Sequence, residues 1–250
     1  MPPFKKVPQT NAIFTNLSYV HALAKMDSRV LRMSLDAKAT VILGPFARGG
    51  YNRTGIQAVD HDFKPLGRLT PFGLFLPDTK DLSLWLTASK VSSDFIVDRL
   101  EEWWQRHRAN YPGVRMLLLD LDNGPENHGN RSQFLYRLVR FAQAEQLWLR
   151  LAYYPPYHSK YNPIERCWGV LEGYWRGEIL DSPKAVLGFA RSMTYAKKHP
   201  EVEHVTKTYF KGVRRTKAEV RKLAPWLSRT TALEKWSILI QPPPLDQLLI

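Results

Sequence analysis

The chain has 250 residues, and its 36 Lys and Arg outnumber 23 Asp and Glu to give a net charge of +13 at neutral pH. A hydrophobic content of 44% with eight tryptophans excludes a disordered chain and allows a sizeable core. The longest apolar runs, such as MLLL at 116–119, are too short to span a bilayer, and one cysteine, Cys167, excludes an internal disulfide and a multi-cysteine metal site. The basic excess points to a polyanionic partner. No secretory signal pattern opens the sequence, so a reducing cytoplasm is the expected location.

Residues 1–29 have mixed polarity and early prolines and are expected to be a linker or docking segment. Over 30–43, Leu31, Met33, Leu35, Val41 and Leu43 share one face while Ser34, Asp36 and Lys38 take the other, which predicts a long, bent strand. GPFARGGYNRTG (44–55) is a glycine-rich basic loop without the GxxxxGK[ST] of a nucleotide P-loop. LTPFGLFLP (69–77) and LSLWLTAS (82–89) predict two more strands joined by a turn. Ser92 and Ser93 then cap a helix whose Ile96, Leu100, Trp103 and Trp104 face inward. The apolar VRMLLLDLD (114–122) reads as a strand buried on both faces. Ser132 is expected to cap a helix through Phe134, Leu135, Leu138 and Ala142, and LWLRLAYY (147–154) is the fifth strand.

That strand runs into YPPYHSKYNPIERCWG (154–169). Tyr-Pro-Pro ends it, because proline fixes φ and removes a donor. Asn162 and Pro163 predict a helix start, with Asn162 as the cap, and Ile164, Trp168, Leu171 and Trp175 form its inward stripe. The predicted order is β-β-β-α-β-α-β-α, a mixed sheet flanked by helices. From Pro183 to Lys235, thirteen Lys and Arg face four Glu, so a basic, mostly helical C-terminal extension suited to phosphate contact is expected. Arg214, Arg215 and Lys217 lie in its densest part.

Three carboxylates fall at strand and helix ends: Asp36, Asp122 and Glu165. Asp120, two residues before Asp122 and on the same strand face, and Glu172, further along the helix of Glu165, are the rivals. Gathered carboxylates repel one another, and hard, oxygen-seeking cations such as Mg²⁺ relieve that repulsion. Two such ions suit phosphoryl transfer, which needs positioning and charge neutralisation more than a covalent nucleophile.

The element order, LLLDLDNGPEN and YYPPYHSKYNPIERCWG resemble the ribonuclease H-like catalytic domain of DDE transposases, above all bacterial insertion-sequence enzymes related to the mariner group. The resemblance covers roughly 30–180, and Pro-x-x-Ser-x-x-Asn-Pro-Ile-Glu (156–165) is its most specific part. It implies that Asp36, Asp122 and Glu165 are the catalytic metal ligands, binding two Mg²⁺ or Mn²⁺ ions, and that the activity is DNA cleavage and strand transfer. His158, Lys160 and Tyr161 are candidate DNA contacts beside Glu165, and a homodimer or larger assembly on DNA is expected. The resemblance implies three parts: 1–29, a catalytic domain over 30–180, and 181–250. Such transposases usually carry an N-terminal helix-turn-helix region, and with Asp36 so early this sequence is expected not to include one. Two other readings compete: a hydrolysing nuclease of the same fold, and a DNA-binding remnant relying on the basic extension. A glycosidase carboxylate pair fits neither the charge nor the element order.

Overall fold

The computed structural model describes residues 7–46 and 64–247. The loop expected over 44–55 lies outside the described residues from position 47 onward. The chain begins with α1 (Thr10–Met26), so the segment read as linker or docking piece is a helix that buries Ile13, Leu17, Val20 and Ala24. The long strand expected over 30–43 is two: β1 (Val30–Ala37) and β2 (Val41–Leu43), separated at Lys38–Thr40. The hairpin β3 (Gly67–Phe75) and β4 (Leu82–Thr87) follows. Next, α2 (Ser93–His107) starts with the Phe95 N–H donating to Ser92 Oγ at 3.3 Å, as the capping signal predicts.

The buried β5 (Met116–Leu121) leads to α3 (Ser132–Glu145). Ser132 does not cap that helix; it is its first residue, and its hydroxyl accepts from the Arg215 N–H at 3.0 Å. Gln146, left-handed at φ 51°, ends α3 before β6 (Trp148–Tyr153). Beyond α4 (Glu165–Trp175) come α5 (Pro183–Ser192), β7 (Glu201–Val205), α6 (Lys217–Leu223), β8 (Leu227–Arg229) and β9 (Ser237–Ile240). The last three strands are absent from the sequence expectation. They are short, and β7 carries Glu201, Glu203 and His204, which mask the alternation.

The described chain divides into two compact units. The first comprises Met1–Leu35, Val91–Asn162 and Tyr209–Ile250. In it β1 and β5 pair in parallel, with Ser34 opposite Asp120, β5 and β6 pair in parallel, and β9 and β8 extend the run antiparallel. Both faces of this run are covered, which is why β5 is almost wholly apolar. The C-terminal segment therefore completes this sheet as well as carrying positive charge.

The second unit comprises Asp36–Lys90 and Pro163–Thr208. Here β3 pairs antiparallel with β4 and with β2, and β7 joins β4 in parallel. Its core gathers Leu69, Leu84 and Leu86 from the hairpin with Ile164, Trp168, Leu171 and Trp175 from the α4 stripe. Gly73 lets α4 lie that close: a Cβ there would fall 2.7 Å from Ile164 Cδ1 and 2.8 Å from Trp168 Cη2. Cys167 is fully buried in the same core, where burial pushes its thiol up to about 12, so it is a packing residue.

Candidate active site

Asp122 follows β5, and the loop behind it is tied down at many points. Glu126 accepts from the Ser93 N–H and hydroxyl, both at 3.1 Å, and pairs with Arg131 at 3.1 Å. Burial would raise the Glu126 carboxyl, but the Ser93 donors and Arg131 outweigh it and hold the group below its usual range. Tyr153 donates its hydroxyl to the Asn127 carbonyl at 2.7 Å, and Arg229 reaches the Gly129 carbonyl at 2.8 Å. Inside this frame Asp122 Oδ1 accepts from Gly124 N–H at 3.1 Å and Asn127 Nδ2 at 2.8 Å. Its Oδ2 has no hydrogen-bond partner among the described residues.

Asp120 is placed quite differently. It is 0% exposed, with Oδ1 at 2.7 Å from His21 Nε2 and Oδ2 at 2.7 Å from Arg32. Both oxygens are committed to a buried ion network that fastens α1 and β1 to β5, so this rival is structural. His21 lies in the segment whose role the sequence left open.

Asp36 lies at the end of β1 and is 8% exposed. Oδ1 accepts from the Ala37 N–H at 2.8 Å, and Oδ2 accepts from Trp168 Nε1 at 3.2 Å. Trp168 sits one turn beyond Glu165 on α4, so the indole ties the Asp36 carboxylate to the helix that carries Glu165. The carboxylate of Glu165 is half-buried and has no hydrogen-bond partner among the described residues. Glu172, the other rival, is mostly exposed and pairs with Lys38 Nζ at 2.5 Å.

Asn162, expected as the cap of α4, does not cap it. Ile164 occupies the N-cap without a side-chain bond. Asn162 instead turns into the first unit, where its Oδ1 accepts from Ser34 Oγ at 2.5 Å and its Nδ2 donates to the Leu35 carbonyl at 3.3 Å. A buried amide finds two partners there that a helix start would not supply. The bonds clamp the backbone of β1 one residue before Asp36.

The candidate DNA contacts form an aromatic tip in the first unit. His158 and Tyr161 stack with centroids 6.1 Å apart, Phe14 of α1 meets both edge-on at 5.5 and 5.3 Å, and Lys160 Nζ lies 5.2 Å from the Tyr161 ring centroid. Tyr161 is 54% exposed. Phe14 escaped the sequence reading because it is distant in the chain. In the basic segment, Arg214 and Lys217 are exposed. Arg215 is an anchor: its Nε donates to Gln133 Oε1 at 2.8 Å, and its guanidinium lies 3.8 Å from the Tyr136 ring centroid.

Among the described residues no group of three or more His, Cys, Asp or Glu side chains stands gathered as a metal cluster. The donor chemistry nevertheless suits a hard cation. Near Asp122 Oδ2, the amide oxygens of Asn123 and Asn127 are buried without a hydrogen-bond partner among the described residues. A Cβ on Gly124 would lie 3.2 Å from Asp122 Oδ2 and 3.3 Å from Asn127 Oδ1, so both oxygens border a cradle kept open by a bare α-carbon. Unpaired oxygens without sulfur or imidazole among them match Mg²⁺ or Mn²⁺ better than softer metals.

A parallel β1–β5–β6 run, an antiparallel hairpin and a helix opening on an acidic residue make this a mixed α/β protein. Residues 2–242 match the family described as the Rhodopirellula transposase DDE domain, and the chain belongs to that family of DDE transposase domains. DDE transposases use divalent metal ions. Two solved structures are similar: a Mos1 transposase paired-end complex with the left transposon end, and a Mos1 mariner paired-end complex with Mn. Each has a TM-score of 0.49 and 12% identity; they cover 71% and 74% of this chain and 51% and 54% of their own. The chain thus spans about half the length of those Mos1 chains. Comparison with curated proteins finds no match.

Proposed function

We propose that this chain catalyses metal-dependent DNA strand cleavage and strand transfer, with Asp36, Asp122 and Glu165 as the ligands of two Mg²⁺ or Mn²⁺ ions. The observation that carries the reading is the division of labour among the acids. Both rivals, Asp120 and Glu172, are spent on basic partners, whereas Asp122 Oδ2 and the Glu165 carboxylate have no partner among the described residues. Divalent ions held by these residues would activate a water or 3′-hydroxyl and would neutralise charge on the phosphodiester and its leaving oxygen.

The protein's own part is to aim the acids. Trp168 and the Ala37 N–H do so for Asp36, and Asn127 and the Gly124 N–H for Asp122. DNA is the proposed partner, held by His158, Lys160 and Tyr161 at the aromatic tip and by Arg214 and Lys217 through phosphates, with Arg215 bracing that segment. Assembly as a homodimer or larger complex on DNA, and the partition into 1–29, a catalytic 30–180 and 181–250, belong to the same proposal. Among the described residues no helix is long and apolar enough to cross a membrane.

The test is Glu165→Gln and Asp122→Asn beside Glu172→Gln, with oligonucleotide nicking and joining measured in Mg²⁺ and Mn²⁺ and DNA binding measured separately. The first two variants keep DNA binding and lose cleavage by orders of magnitude, about equally, because ligands of one site fail as a unit. Glu172→Gln stays near the parent. Cleavage without joining selects the nuclease reading, and DNA binding without any metal-dependent chemistry selects the DNA-binding remnant.

A further inference from the structure

Asn127 is 7% exposed and uses half of its side chain. Its Nδ2 donates to Asp122 Oδ1 at 2.8 Å, while its Oδ1 is buried and has no hydrogen-bond partner among the described residues. The charge of Asp122 sets this orientation, since turning the amide over would press its oxygen against a carboxylate oxygen. The loop cannot readily swing to relieve the orphan. The Asn127 carbonyl is held by the Tyr153 hydroxyl at 2.7 Å, and its N–H donates to the Gly124 carbonyl at 3.2 Å.

The orphaned oxygen also shares the open side of Gly124 with Asp122 Oδ2, as the distances of 3.3 and 3.2 Å to a Cβ placed there show. Asn123, left-handed at φ 62°, contributes a second buried amide oxygen without a partner in the same loop. Buried amide oxygens are seldom left unpaired. Two of them beside the Asp122 carboxylate make an oxygen-rich corner of the kind that suits a hard cation.

We infer that Asn127 belongs to the cation site: its amide nitrogen fixes one oxygen of Asp122, and its amide oxygen joins the other in holding a hard divalent cation or that cation's water. The inference rests on the metal-dependent reading above and adds a neutral oxygen donor to the acidic trio. Neutral amide oxygens are ordinary partners of such cations, and groups that orient a ligand set affinity nearly as strongly as the ligand itself.

The experiment uses the full chain without DNA and follows Mn²⁺ uptake by electron paramagnetic resonance of the free ion, with thermal unfolding in parallel. Asn127→Leu removes both functions and lowers Mn²⁺ affinity by about 10-fold or more. Asn127→Asp faces Asp122 with a second carboxylate, so its metal-free form melts below the parent. It nevertheless binds Mn²⁺ at least as tightly as the parent and recovers its melting temperature on Mn²⁺ addition. A purely structural Asn127 predicts the opposite for Asn127→Asp, namely lost stability that Mn²⁺ does not restore. The inference is overturned if Asn127→Asp binds as weakly as Asn127→Leu, or if both keep the parent's affinity. Should Asn127→Leu fail to fold, the Mn²⁺ dependence of Asn127→Asp melting decides alone. A parent that takes up no Mn²⁺ refutes the metal reading and this inference together; a parent that binds and cleaves beside unaffected variants refutes the inference alone.

Discussion

Gly73→Ala tests how α4 is set on its hairpin. The added methyl lands 2.7 Å from Ile164 Cδ1 and 2.8 Å from Trp168 Cη2, against a carbon–carbon optimum of about 3.5–4.0 Å, so the first turn of α4 must retreat by roughly 1 Å. Overpacking of this kind costs about 1–3 kcal/mol. At roughly 2–4 °C per kcal/mol for a chain of this size, the melting temperature falls by about 2–12 °C, and the protein stays folded. The effect on chemistry is larger in proportion. Glu165 and Trp168 ride on the displaced turn, and a misplacement of about 1 Å can cost roughly 10²-fold in rate. The assay pairs thermal unfolding with Mn²⁺-dependent nicking of an oligonucleotide. Adding Ile164→Val deletes the nearest clashing carbon and recovers part of both losses, a coupling expected of residues in contact. A Gly73→Ala protein with unchanged melting and unchanged nicking refutes the packing argument, and unchanged nicking after a clear drop in melting refutes the link from α4 to catalysis.

Trp168→Phe keeps an aromatic ring in the core but deletes the donor to Asp36 Oδ2, and lowers Mn²⁺-dependent cleavage by about 10-fold or more with DNA affinity unchanged in a gel-shift assay. Arg214→Ala with Lys217→Ala reduces the slope of log K against log salt by roughly 0.9 per lost phosphate contact on duplex DNA, whereas Arg215→Ala chiefly lowers the melting temperature, because Arg215 braces the C-terminal segment on α3. The folded-state carboxyl of Glu126 lies below its ordinary 4.5, so its stabilisation is complete above that pH and is lost as pH falls toward the lowered value; Glu126→Gln flattens this acid limb in unfolding measured from pH 6 to 3. His128, in the same loop, is lowered from 6.5 by burial and by Arg131, so its contribution too is present above that pH and fades below it; His128→Gln removes the loss that starts there.

The local chemistry of the chain determined several of its elements well. Alternation and turn residues gave the hairpin β3–β4, the Ser92 signal gave the start of α2, and an unbroken apolar run gave β5, because each is written within about ten consecutive residues. Asp36, Asp122 and Glu165 could be singled out in the sequence because each stands at the end of an element, and their role as metal ligands is a proposal. Long-range pairing decided the rest. Asp120 and Asp122 are alike in sequence, and what separates them is His21 and Arg32, 99 and 88 residues from Asp120, which consume one carboxylate and leave the other. Asn162 has the local look of a cap, yet a hydroxyl and a carbonyl from β1 outcompete the helix for its amide. Arg215 looks like one more phosphate contact until Tyr136 and Gln133 meet it. A hydrogen bond is chosen by whatever donor or acceptor lies within about 3 Å in space, and nothing short of the folded backbone sets that distance.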